Sequence, residues 1–167
     1  KTIERPVPAD GFYYAFKMSN RRNQDYYVTD VLSDALGRDK SARLYVSLKK
    51  NKKLVASINA YVTGSLDEGL LVISGKLNEG VSFEELDTAL WNEIEIISNE
   101  IIAQKELRKI MNKIRTSKEF EEQGALNIAM NLCYFELLGD ADMINEEANH
   151  YTRITPEELK NMANQIL

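Results

Sequence analysis

Few residues in this chain could do chemistry. It has one histidine, His150, and one cysteine, Cys133, among 167 residues. Glu147-Ala148-Asn149-His150 has the E-x-x-H spacing that holds a metal in helical bundles when other helices add carboxylates. With a single histidine and so polar a segment, a surface helix is the better reading. Cys133 lies in the apolar run from Met130 to Leu138 and reads as a small buried hydrophobe. A lone cysteine forms no internal disulfide, and as a nucleophile it would have only His150 to call on. No phosphate loop, dinucleotide fingerprint or G-x-S-x-G elbow occurs. A Ser-His-Asp site stays formally open, but no spacing singles one out.

Basic residues form two clusters. Lys49-Lys50-Asn51-Lys52-Lys53 is one. Lys105, Arg108, Lys109, Lys113, Arg115 and Lys118 make the other. Either could meet an acidic peptide, though a solvated helix face is the simpler account. No aromatic platform accompanies them, and the net charge is −5. Nucleic acid is therefore not an expected partner. No apolar run approaches the ~20 residues of a membrane span. Apolar residues at 44% and charged residues at 28% fit a globular domain. A domain this long buries roughly 70% of its unfolded surface, enough for a full core.

The elements that must position these residues follow from pattern. Residues 1–11, which include Arg5-Pro6-Val7-Pro8, read as a linker leading into a single domain over 12–167. Phe12 to Met18 reads as a strand. Asp25 to Leu36 has helical apolar spacing, with Gly37 placed as its C-terminal glycine. Ser41 to Lys50 is a second helix with Leu44, Tyr45 and Leu48 on one face. Val55 to Val62 alternates, with Val55, Ser57, Asn59 and Tyr61 on one side and Ala56, Ile58, Ala60 and Val62 on the other. It pairs antiparallel with Leu70 to Leu77 across the loop Gly64–Gly69.

Ser82 and Glu85 form a capping box opening a long helix with Phe83, Leu86, Leu90, Ile94, Ile97 and Ile101 in its stripe. Further helices run from about Ala103 to the Lys113 region, from Glu121 to Leu138 with Gly139 as the stop, and from Ile144 to Tyr151. Thr155-Pro156-Glu157-Glu158 is a second capping box, and its helix runs to Leu167. The expected class is α+β: an antiparallel or mixed sheet with helices on one face. Three strands are few for so many helices, so a further strand is expected outside residues 1–167. The chain, which starts without methionine, reads as part of a longer one.

The order and spacing of four segments resemble the C-terminal-type domain of the pitrilysin/insulinase-type zinc peptidases, the family of the mitochondrial processing peptidase. The central one is Ser41-Ala42-Arg43-Leu44-Tyr45-Val46-Ser47-Leu48-Lys49-Lys50-Asn51-Lys52-Lys53-Leu54-Val55-Ala56-Ser57. It is similar to the family's S-R-L-[YF]-x-x-L-R-E-x-x-G-L-A-Y-S. Asp25–Gly37 resembles the preceding family helix. Phe83–Ile101 with Glu106, Leu107 and Asn112 resembles the following one. Ile154–Leu159 resembles the closing T-P-E-D-L helix.

The resemblance implies a clamp of two halves. One half binds zinc through H-x-x-E-H and a distal glutamate, and activates water there. The other supplies an arginine and a tyrosine, seven residues apart, that hold peptide and the developing oxyanion. Aligned so, the arginine falls on Lys49, the tyrosine on Ala56, the following glutamate on Lys50 and the glycine on Lys53. Lysine keeps charge without the planar fork. Alanine keeps neither donor nor ring, and each lost donor is worth roughly 2.7–4 kcal/mol at a transition state. One histidine cannot make H-x-x-E-H.

The expectation is a non-catalytic domain, with Lys49 and Ala56 as degraded substrate-binding positions. It has no metal or cofactor of its own, zinc belonging to a partner or upstream half. Its expected partners are a catalytic peptidase half or subunit, peptide held weakly, and a second copy in a homo-oligomer. Two rivals remain. One is the clamping domain of an active zinc peptidase, with Lys49 in place of arginine. The other is a pure scaffold. The sequence does not give the compartment, and the bacterial periplasm or cell envelope is no more than a guess.

Overall fold

A computed structural model describes residues 10–64, 66–121 and 124–167. Most of the expected linker lies outside the described residues. Strand β1 spans Gly11–Met18, helix α1 Gln24–Gly37, strand β2 Val55–Thr63 and strand β3 Gly69–Leu77. The helices α2 (Phe83–Asn99), α3 (Gln104–Glu121), α4 (Ala125–Leu138), α5 (Met143–Thr152) and α6 (Pro156–Ile166) follow. The expected α+β class is what forms.

The sheet has the order β1-β3-β2, all antiparallel. Alternation sets its faces. Phe12, Leu71, Ile73, Ile58 and Ala60 turn inward and are buried. Tyr13, paired with Ser74, turns outward and is exposed. Helix α1 packs on β2, and α6 packs on both α1 and α2. Helix α2 reaches β1 through Trp91, whose ring meets Tyr14 and Phe16 edge-on at 6.5 and 6.2 Å. The Tyr14 hydroxyl donates to Asp87 from the same helix.

Several local expectations are corrected. Gly37 is the last residue of α1, followed by Arg38 in a right-handed conformation, so it is no left-handed stop. It is glycine because a Cβ there would lie 2.6 Å from the Ala60 amide nitrogen. Ser82 accepts from the Glu85 amide, which is the Ser82 half of the expected box, whereas the Thr155–Glu158 box is complete. Ile101 lies beyond α2 and is exposed, and Ile102 takes the buried place beside it. Gly139 does stop α4, at φ 130°. Cys133 is exposed rather than buried, because α4 covers the domain only through Phe135 and Leu138.

Candidate functional site

The stretch singled out by the sequence is not a plain α-helix. Tyr45–Asn51 is wound as a π-helix. The Lys52 amide donates to Ser47 O at 2.9 Å, a five-residue step. The Leu54 amide donates to Leu48 O at 2.8 Å and closes the turn. π-Wound segments are rare and favour functional sites. Leu44, Leu48 and Leu54 are buried and fix the segment to the core. Arg43 Nε and its terminal amino group donate to the two carboxylate oxygens of Glu106, each at 3.0 Å. That fork ties the segment to α3.

Lys53, where the resemblance implies a glycine, has a φ of +55°. It is the one positive-φ non-glycine among the described residues. A left-handed backbone suits glycine and costs a lysine roughly 1–2 kcal/mol. The turn therefore keeps the shape that glycine serves while carrying another side chain. Asn78 holds it from the far side, donating from Nδ2 to Lys53 O at 2.6 Å.

The two candidate positions differ in setting. Lys49 is half-buried, with its ammonium 5.3 Å from the Tyr45 ring centroid, a cation–π contact. Ala56 is the second residue of β2 and is exposed. Strict alternation put it on the same side as Ile58, which is buried. The structure corrects this. Val55 pairs with Leu77 and Ser57 with Lys76, so Ala56 is the extra residue of a β-bulge. The bulge lets Val55 and Ile58 both turn inward and aims Ala56 out. A side chain at 56 would project to solvent from the mouth of this turn, as a substrate-touching group must.

Helix α5 does lie at the surface, as expected, but it turns Glu147 inward and leaves His150 half-buried. Glu147 is buried and pairs with both Arg21 and Lys118. His150 Nδ1 lies 2.6 Å from Gln24 Oε1, and its ring stacks on Tyr27 at 4.5 Å. Both groups are committed to structural contacts. No cluster of three His, Cys, Asp or Glu among the described residues could hold a metal. Among the described residues, Glu147 and His150 have no further donor beside them with which to hold zinc.

Sequence reading missed the polar cluster around them. A cavity of about 350 Å³ is lined by Arg21, Tyr26, Asp30, Asp34, Arg38 and Tyr151, among others. Arg38 pairs with Asp34 at 2.9 Å, and the Tyr151 hydroxyl donates to Asp30 at 2.7 Å. Burial pushes Asp34 upward, and Arg38 offsets this only in part. Burial, then Asp30, drives Tyr151 far above its ordinary range. Burial pushes Tyr26 up to about 12. Charges of both signs are matched here, which is how buried ions persist. The signal was present in the sequence: Asp30 and Asp34 on α1 and Arg38 just past its end recur at every fourth residue. The second basic cluster is likewise not simply solvated. Lys113 pairs with Asp39, Lys118 with Glu147, and Lys109 donates to Ser41.

Comparison with known proteins agrees with this picture. Residues 1–114 match the family described as the peptidase M16 inactive domain. Among solved structures, a protease from Helicobacter pylori is similar at a TM-score of 0.89 and 20% identity, over 98% of this chain and 39% of that one. An inactive peptidase domain from Bordetella parapertussis is similar at 0.84 and 18%, over 98% of this chain and 87% of that one. The peptidase M16 inactive domain from Pseudomonas fluorescens is similar at 0.71 and 17%, over 96% and 39%. At these identities the likeness shows a shared fold. The chain spans about two fifths of the length of the Helicobacter pylori protease, 39%. No curated protein matches the chain. No helix among the described residues is long and apolar enough to cross a membrane.

Proposed function

The chain belongs to the peptidase M16 inactive-domain family, and from that premise we propose that it forms the non-catalytic wall of a peptide-enclosing clamp. Its counterpart is a zinc-bearing half with H-x-x-E-H, on the same longer chain or on a separate subunit. That half supplies the metal and the activated water. This chain supplies shape, and weak peptide contact through Lys49.

One observation carries the reading. The turn from Arg43 to Ala56 has a demanding backbone, and the family resemblance implies an arginine and a tyrosine on it that this chain lacks. The π winding, the left-handed residue at 53 and the bulge at 56 are all present. Lys49 and Ala56 stand where an arginine and a tyrosine would grip peptide. A left-handed lysine and an unpaired bulge residue are hard to account for by packing alone. They are expected in an element inherited from a substrate clamp.

The test restores the grip. The double variant Lys49→Arg, Ala56→Tyr should bind an unstructured fluorescent peptide at least tenfold more tightly than the unaltered chain, measured by anisotropy. Circular dichroism should confirm an unchanged fold. Unchanged peptide affinity in a folded double variant would count against descent from a clamp and favour the scaffold reading.

A further inference from the structure

The clamp turn carries a charge that its backbone does not need. Four of the five residues from Lys49 to Lys53 are lysines, in a chain of net charge −5. Lys50, Lys52 and Lys53 are exposed, and Lys49 is half-buried. Lys52 reaches Glu93 on α2 at 3.8 Å. Among the described residues Lys49, Lys50 and Lys53 take part in no ion pair. The cations of α3 differ. Lys113, Arg115 and Lys118 are paired with carboxylates, and Lys109 donates to Ser41. The fold thus neutralises most of one basic cluster and leaves the other open.

Three features set the open cluster apart from a solvated surface. The turn is held in place. Buried Leu48 and Leu54 and the Arg43–Glu106 fork fix its backbone, so the lysines are displayed together without the ordering cost of a loose loop. Lys53 stands at φ +55°, where glycine is the cheaper residue, so its charge is carried at a cost in stability. The patch also continues to the mouth at Ala56. Lys76 is the ladder partner of Ser57 and both are exposed, so Lys76 stands on the outward face beside the bulge. Asp10 and Glu79 flank that end of the sheet, and among the described residues neither forms an ion pair with these lysines.

We propose that this turn selects acidic peptide: an extended segment whose aspartate or glutamate side chains face Lys49, Lys50, Lys53 and Lys76. The inference rests on the clamp reading and narrows its substrate. Charge complementarity decides the occupant. Side chains on one face of an extended chain recur every ~7 Å, so a cluster this short meets a few neighbouring carboxylates. A nucleic acid would engage a longer basic stripe and exposed rings on which bases stack. Tyr45, the aromatic residue of the turn, is instead covered by the Lys49 ammonium.

Fluorescence anisotropy on the 167-residue chain tests it, with a labelled glutamate-rich peptide, its glutamine counterpart and its lysine counterpart. The glutamate peptide should bind at least tenfold more tightly than the glutamine one, and the lysine one should not bind. Raising salt from about 20 to about 300 mM should remove most of that difference, because exposed charges are screened. Lys50→Glu with Lys76→Glu should abolish the preference. Arg153→Glu, the same change of charge at an exposed position at the end of α5, should leave it intact. Lys50→Gln with Lys76→Gln serves should circular dichroism show the reversal misfolded. Equal binding of the glutamate and glutamine peptides, or a preference that Arg153→Glu removes as well, would overturn the proposal. So would equal or tighter binding of single-stranded DNA or of anionic lipid vesicles. The clamp reading is checked apart, since Lys49→Arg with Ala56→Tyr should tighten the glutamine peptide. A gain there without acidic preference sinks this inference and leaves the clamp standing.

Discussion

Arg43 and Glu106, sixty-three residues apart, meet through two parallel hydrogen bonds of 3.0 Å each. The guanidinium fork matches both carboxylate oxygens, so it fixes orientation as well as distance. Both side chains are mostly buried, with 20% and 29% of their surface exposed. The contact ties the start of the π-wound turn to α3, while the bulge against β3 aims Ala56.

The pair gives a first prediction. Arg43→Lys keeps the charge and loses the fork. Urea unfolding should show a loss of about 1 kcal/mol. In the background of the restored clamp, Arg43→Lys should also reduce peptide affinity, because the turn would be less well held. A variant as stable as the parent would show that the fork does not hold the turn.

The left-handed lysine gives a second. Lys53 is exposed, so its replacement removes little packing. Lys53→Gly relieves backbone strain and gives back part of the gain through the looser unfolded chain. A net stabilisation of about 0.5–1 kcal/mol is expected. Lys53→Val, β-branched and unsuited to positive φ, should destabilise. Chemical denaturation of both variants checks the pair, and equal stabilities would refute strain at this position.

Acid sensitivity gives a third. Burial raises Asp39, but the Ser41 hydroxyl and amide and the Lys113 ammonium outweigh it and hold the carboxyl down at about 2. A carboxylate whose folded value lies below its unfolded value of roughly 3.9 stabilises the fold above that unfolded value. The contribution is lost as pH falls from about 4 to about 2. Asp39→Asn should therefore cost about 1 kcal/mol at neutral pH, allowing for solvent screening. It should also flatten the stability profile across that acid window. The linked measurement is thermal unfolding of both proteins from neutral pH to pH 2, and parallel profiles would rule the pair out. Asp34 works in the opposite sense. Its raised value makes the folded state the stronger proton binder, so it adds no stability at neutral pH.

Much of this domain was legible in its sequence because the signals are local. Apolar periodicity placed the strands and most helices, Thr155 and Pro156 announced α6, and Gly139 ended α4. Lys49 and Ala56 were named only through the resemblance of Ser41–Ser57 to the family segment. The rest depended on contacts between distant segments. Gly37 looked like a helix stop, and only the approach of Ala60 shows why it cannot carry a side chain. Alternation grouped Ala56 with Ile58, and only the register against β3 reveals the bulge that turns it out. Glu147 looked solvated, and only folding brings Arg21 and Lys118 to it. Cys133 looked buried because its neighbours are apolar, yet burial depends on what packs against a helix rather than on the helix itself. Sequence thus determined which elements form and which chemical groups the chain lacks. Tertiary structure decided which way those groups face, because register, bulges and ion pairing are settled between segments far apart in the chain.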